Sequence, residues 1–169
     1  MSHPASPLGS IADAYLSVVG KKQGAIKGEV ETPGHADEIA VLAWRWGVKS
    51  PTAHGTSQAT GRRVYDWLEI DKHIDGGTTR LLSALASNEE LKSVKLSLRK
   101  AGTDQEDFLN ITLEVARIVS CAMRSNPDGG LYETVAFSYQ KIQMDYNPQK
   151  STGLRGGSST FADQLLTST

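Results

Sequence analysis

The residues with reactive side chains fall into a few short groups. His35, Asp37 and Glu38 follow a Pro-Gly turn and carry the atom types of a metal site or an acid–base pair. No second ligand group with matching spacing accompanies them, so they read as a solvated entry to a strand. His73 and Asp75 stand just ahead of a helix-forming stretch, where turn and capping roles suit them better than catalysis. Ser, His and Asp all occur, but without the Gly-x-Ser-x-Gly elbow that would hold a nucleophile. Gly20, Gly24 and Gly28 lack the strand–loop–helix context of a phosphate-binding loop. Cys121 lies in an apolar run and reads as a small buried hydrophobe. Asn110-Ile111-Thr112 matches a glycosylation acceptor but sits in a predicted strand, so the match is accidental. Trp44, Trp46 and Trp67 do not interleave with a basic patch and read as packing residues. No catalytic, metal or cofactor constellation is left. The expectation is a structural or binding protein, not an enzyme, with no cofactor.

The composition agrees. A chain of 169 residues suits one domain with a real core. Eighteen basic and nineteen acidic residues give a net charge of −1, with no block of like charge. That argues against nucleic acid or a membrane surface as a partner. One cysteine excludes an internal disulfide framework. Residues 1–10 have no basic start and no apolar run, so no signal peptide is expected there. No stretch of about 18 apolar residues occurs, so no membrane insertion is expected. The protein is expected to fold in the cytoplasm, and any export would need a dedicated machine.

The elements that must position these residues are mostly strands. Residues 1–13 read as a flexible lead-in and 150–169 as a Gly/Ser/Thr-rich tail, leaving 14–149 as the domain. Strands are predicted over 14–19 (AYLSVV), 26–31, 37–48 (DEIAVLAWRWGV) and 62–71 (RRVYDWLEID). Residues 78–87 (TTRLLSALAS) carry Leu81, Leu82 and Leu85 at helical spacing, with Thr78 or Thr79 as N-cap. Val94, Leu96 and Leu98 then alternate with Lys95, Ser97 and Arg99. After the turn residues Ala101, Gly102, Thr103 and Asp104, Leu109, Ile111 and Leu113 alternate with Asn110 and Thr112. That is a β-hairpin. Its second strand runs to about Met123. A turn over 126–130 (NPDGG) leads to the last strand, 131–146. In the tail, Phe161, Leu165 and Leu166 could form one weak helical turn.

Two long strands change face midway. Val135, Phe137 and Tyr139 give way to Ile142, Met144 and Tyr146, with the switch near Lys141. Ile111, Leu113 and Val115 give way to Ala116 and Ile118. A one-residue phase shift is what a β-bulge produces. Long, bent antiparallel strands predict a mainly β fold, a compact antiparallel β-barrel with one flanking α-helix. Trp44 and Trp46 opposite Val41, and Tyr65 and Trp67 opposite Leu68 and Ile70, make two strands apolar on both faces. Their second face is expected to meet the helix or another subunit.

Several segments share wording with one family. Residues 94–113 (VKLSLRKAGTDQEDFLNITL), 34–48 (GHADEIAVLAWRWGV), 70–82 (IDKHIDGGTTRLL) and 135–149 (VAFSYQKIQMDYNPQ) stand in its order and at its spacing. The chain resembles the haemolysin-coregulated proteins (Hcp) of the type VI secretion system over roughly 14–149. It departs in a longer lead and in a tail without the family's Gly-Trp-Asp-like element. The resemblance implies a barrel assembled as a hexameric ring, with rings stacking into the inner tube of the secretion machine. It also implies a contractile sheath, a spike trimer and effectors in the lumen as partners, and secretion without a signal peptide. A tail-tube protein of a phage or related contractile injection particle is the alternative, separable by gene context. A monomeric ligand-binding barrel would need a cavity that these large side chains fill.

Two features follow for the ring. Arg45, between two indoles, points away from them. It would contact effectors in the lumen, or else is an ordinary solvent-facing arginine. The loop of Ser50, Pro51, Thr52, Ala53, His54, Gly55, Thr56, Ser57, Gln58, Ala59, Thr60 and Gly61 is long for a hairpin connection and has no large apolar residue. It must project from one end of the barrel. By resemblance it is the ring-stacking loop.

Overall fold

The computed structural model describes residues 12–58, 61–100, 106–148 and 157–165. Residues 1–11 of the predicted 1–13 lead-in, the turn at Ala101 to Asp104, and Ala59, Thr60 and Leu166 lie outside them, while Ala12 and Asp13 already belong to the first strand. In chain order the elements are β1 (Ala12–Gly20), β2 (Gly24–Ile26), β3 (Ile39–Val41), β4 (Ala43–Arg45), β5 (Val48–Lys49), β6 (Val64–Tyr65) and β7 (Leu68–His73). They continue with α1 (Thr78–Ala86), β8 (Leu91–Lys100), β9 (Asp107–Ser125), β10 (Leu131–Tyr146) and β11 (Ser159–Gln164). The fold is mainly β. Nine strands form one antiparallel sheet in the order β2-β1-β8-β9-β10-β7-β4, with β3 on β1 and β11 on β10. β5 and β6 pair separately.

The predicted hairpin is β8–β9, with Leu96 opposite Ile111 and Leu98 opposite Leu109. Its inward residues Val94, Leu96, Ile111 and Leu113 join Leu16, Val18, Ile39, Leu68, Ile70 and Phe137 in the core. Helix α1 inserts Leu81 and Ala84 into the same core. Its N-cap is Gly77, not Thr78 or Thr79, and Thr78 is buried at the first turn.

The predicted strand over 37–48 is three pieces. β3 pairs with β1, Leu16 opposite Ile39, whereas β4 pairs with β7, Trp44 opposite Ile70. Leu42 stands between them and its N–H donates to the Asp71 carbonyl. This junction explains the apparently two-faced strand. Val41 is inward on odd phase and Trp44 inward on even phase, so both pack on one core. The strand predicted over 62–71 also breaks, between Tyr65 and Leu68. Trp67 there is 54% exposed, so it is not a packing residue. The second predicted strand, 26–31, is not formed: only Ile26, the end of β2, is strand. Residues 28–30 instead bond to 37–38 through Gly28 N to Asp37 O (2.8 Å) and Val30 N to Glu38 O (3.1 Å). A Cβ on Gly28 would lie 2.5 Å from the Glu38 carbonyl oxygen, so only glycine permits that approach.

The face switches fall where the sequence places them, for another reason. Val115 has φ +51°, a left-handed conformation that costs a β-branched residue about 1–2 kcal/mol. Tyr139 pairs with Ala116 and Lys141 with Glu114, so Val115 faces Gln140. Both strands change phase together and the register holds, which a bulge in one strand would not allow. The true register shift lies higher, between Ala136 and Phe137, where Val119 is the extra residue. The tail is also corrected. Its predicted helical turn is β11, which pairs Phe161 with Met144 and so lies in the sheet.

Candidate functional site

Arg45 ends β4 on the face away from the core. Its Nε donates to Glu69 Oε2 at 2.6 Å and its Nη1 to Asp71 Oδ2 at 3.4 Å. The Glu69 hydrogen bond, before any other cause, raises its pKa further above the ordinary guanidinium value. Thr134 on β10 donates to Asp71 (2.6 Å) and accepts from Arg124 on β9 (3.1 Å). A hydrogen-bonded polar strip therefore crosses β4, β7, β10 and β9. Beside Arg45 opens a cleft of about 400 Å³ lined by Trp46, Tyr65, Asp66, Trp67 and Glu69.

The long loop rises from the β5–β6 ladder, where Val48 faces Tyr65 and Lys49 faces Val64. Its described residues are exposed except the partly covered Pro51. Thr56 returns to the Ala53 carbonyl through its N–H, with Gly55 at φ +81° completing the turn. Ladder and loop make one projecting arm. At its base Trp46 Nε1 donates to Tyr139 Oη (2.5 Å), and Tyr139 donates to the Asp66 carbonyl (2.8 Å). Burial first, then the neighbouring Asp163, raises the Tyr65 hydroxyl pKa.

The histidine group differs from the sequence expectation. His35 is buried, not a solvated strand entry. Its Nδ1 lies 2.5 Å from Glu38 Oε2 and its Nε2 2.8 Å from Asp107 Oδ1. The ring stacks on Tyr15 with centroids 4.4 Å apart, and Arg99 reaches Asp107 at 3.3 Å. Asp37, by contrast, is exposed and 3.8 Å from Lys27. The cluster ties the 28–38 turn to the turn end of the β8–β9 hairpin.

His73 and Asp75 do not meet in one site. Asp75 accepts from Gly77 N at 2.9 Å, the turn role expected of it. It also pairs with Lys72 at 3.0 Å. Lys72 is fully buried and donates to Glu133 on β10 and to Thr78 (3.2 Å). Neither the sequence spacing nor the residue types marked this cluster. Cys121 is half-buried, and burial raises its thiol pKa. Asn110 lies in β9 between Ser97 of β8 and Asp145 of β10, and its Oδ1 is buried without a hydrogen-bond partner.

What remains is a sheet with a polar outer strip, buried ion pairs that act as ties, and a projecting arm. The comparisons give the family. A family model described as "Type VI secretion system effector, Hcp" matches residues 15–146. Protein hcp1 of Pseudomonas aeruginosa is 36% identical over 141 residues, covering 80% of this chain and 86% of that one. Among solved structures, a type six secretion system protein superposes with TM-score 0.81 at 22% identity, over 92% of this chain and 96% of that one. The secreted protein Hcp3 of P. aeruginosa gives 0.69 at 26% identity, over 93% and 100%. The chain belongs to the Hcp family of type VI secretion proteins.

Proposed function

We propose that this chain is the tube subunit of a type VI secretion machine, six copies closing a ring and rings stacking into a tube. The family match across the β domain is the observation that carries this reading. The surface supports it. Met123, Leu131 and Ile74 at one end of the β9–β10 hairpin are exposed, as are Tyr146 and Phe161 at the other. Head-to-tail contacts between unlike patches close a ring when the rotation permits. The sheet itself is read as a barrel, because the Ile39–Arg45 segment pairs with β1 in its first half and with β7 in its second. The sheath, the spike trimer and effectors in the lumen are the proposed partners. Export would follow assembly in the cytoplasm, with no catalytic step. Native mass spectrometry at micromolar concentration should show six subunits. A monodisperse monomer across that range would overturn the ring.

Arg45 is proposed to face the lumen with the polar strip beside it. Arg45→Glu would set three carboxylates together where one guanidinium now bridges Glu69 and Asp71. The side chain is half exposed, so the ring should stay folded while effector retention changes. Unchanged effector capture by an intact ring would make Arg45 an ordinary surface residue.

A further inference from the structure

The arm is too small to hold itself. Its ladder has two residue pairs, Val48 and Val64 are exposed, and an isolated two-stranded hairpin is marginal in water. Its direction must be set at its base. One tie there comes from the far end of the chain. Asp163 on β11 accepts from the Tyr65 hydroxyl, and Arg63 Nη2 lies 3.3 Å from the same Oδ2. Tyr65 and Arg63 are two residues apart, so they share one face at β6, and one carboxylate oxygen meets both. β11 is itself pinned. It pairs with β10 from Lys141 to Tyr146, and Leu165 N donates to the Gln140 carbonyl at 2.7 Å. Asp163 lies opposite Ile142 and so takes its place from the main sheet. The Tyr65 hydrogen bond is the largest cause holding its carboxyl below the usual carboxylate range.

We infer that Asp163 is a positioning residue for the arm: the C-terminal strand clamps β6 through Tyr65 and Arg63 and fixes where the 50–61 loop points. Any consequence for stacking rests on the tube reading above, whereas the clamp itself does not. A carboxylate accepting two donors across 98 and 100 residues of sequence couples the tail to the loop directly.

The test is amide hydrogen exchange on the intact assembly. In Asp163→Ala, exchange over residues 48–66 should rise by about tenfold, the order expected on losing a charge-assisted hydrogen bond. Exchange in β8 and β9 should not change, and Asp163→Asn, which keeps one acceptor oxygen, should fall between. Tyr65→Phe should raise exchange over the same residues, and the double variant should add little, since both remove one contact. Wild-type exchange over 48–66 in Asp163→Ala, or fully additive effects, would overturn the clamp. A uniform rise across the sheet would overturn it too, because β11 would then be a general brace. Electron microscopy of the same samples separates the two readings. Tubes in the wild type that are lost in Asp163→Ala extend the clamp to stacking. A wild type without rings would count against the tube reading and leave the exchange result standing.

Discussion

Replacing Lys72 with Met should cost about 3–5 kcal/mol of folding stability, the usual result of stranding one partner of a buried ion pair. Lys72 is fully buried and Glu133 is 1% exposed. The ammonium also serves Asp75 at 3.0 Å and Thr78 at 3.2 Å. Methionine fills the volume but leaves the buried Glu133 carboxylate without a cation, held only by the Thr78 hydroxyl at 3.1 Å. One of its oxygens already lacks a hydrogen-bond partner. At fixed protein concentration, a fall of roughly 6–20 °C in the unfolding midpoint is expected for a chain of this size. Lys72→Met with Glu133→Leu should recover most of the loss, since removing both charges removes the stranded one. A single variant within about 1 kcal/mol of wild type would show that water reaches the pair.

Replacing residues 52–60 with a short Gly-Ser linker should abolish tube formation and reduce secretion to background. The hexamer and its β content should survive. The loop contributes nothing to the core, and its described side chains are exposed or, at Pro51, partly covered. The ladder below it, Val48 with Tyr65 and Lys49 with Val64, lies outside the replacement. Tubes of normal length from the variant would make the loop passive in stacking. Loss of the hexamer would move the loop to the contact between neighbours within one ring.

Much of this frame was legible in the residues. The alternation in β8 and β9, the leucine spacing of α1 and the two changes of face all appear where the pattern puts them. Period-2 and helical patterns are local, so a single chain displays them. The misses are of other kinds. One residue, Leu42, separates β3 from β4, too brief a break to register as punctuation. The tail strand is six residues with one aromatic, and such a run is as compatible with a turn of helix as with a strand. His35 looked solvent-facing because its second partner, Asp107, is 72 residues away. Lys72 and Glu133 are 61 apart, and both are residue types that normally sit outside. Long-range polar pairing leaves no periodic trace, which is why the ties escaped and the core did not. The arm was readable as a loop, but its clamp was not, since Asp163 acts from the opposite end of the chain.

The paired changes of phase at Val115 and Gln140 also decide where this chain can vary in length. Between there and the tip the two strands run in step except at Val119, the one extra residue of β9. Dropping any other residue from either strand would break that count and turn the inward side chains beyond it toward water, Val135 and Phe137 among them. The 126–130 turn is free of that count. Its residues are exposed or partly covered, and Gly129 at φ +87° already carries the reversal. A change of length at this tip should therefore leave the fold of the single chain intact, whereas the ladder below it has a fixed length.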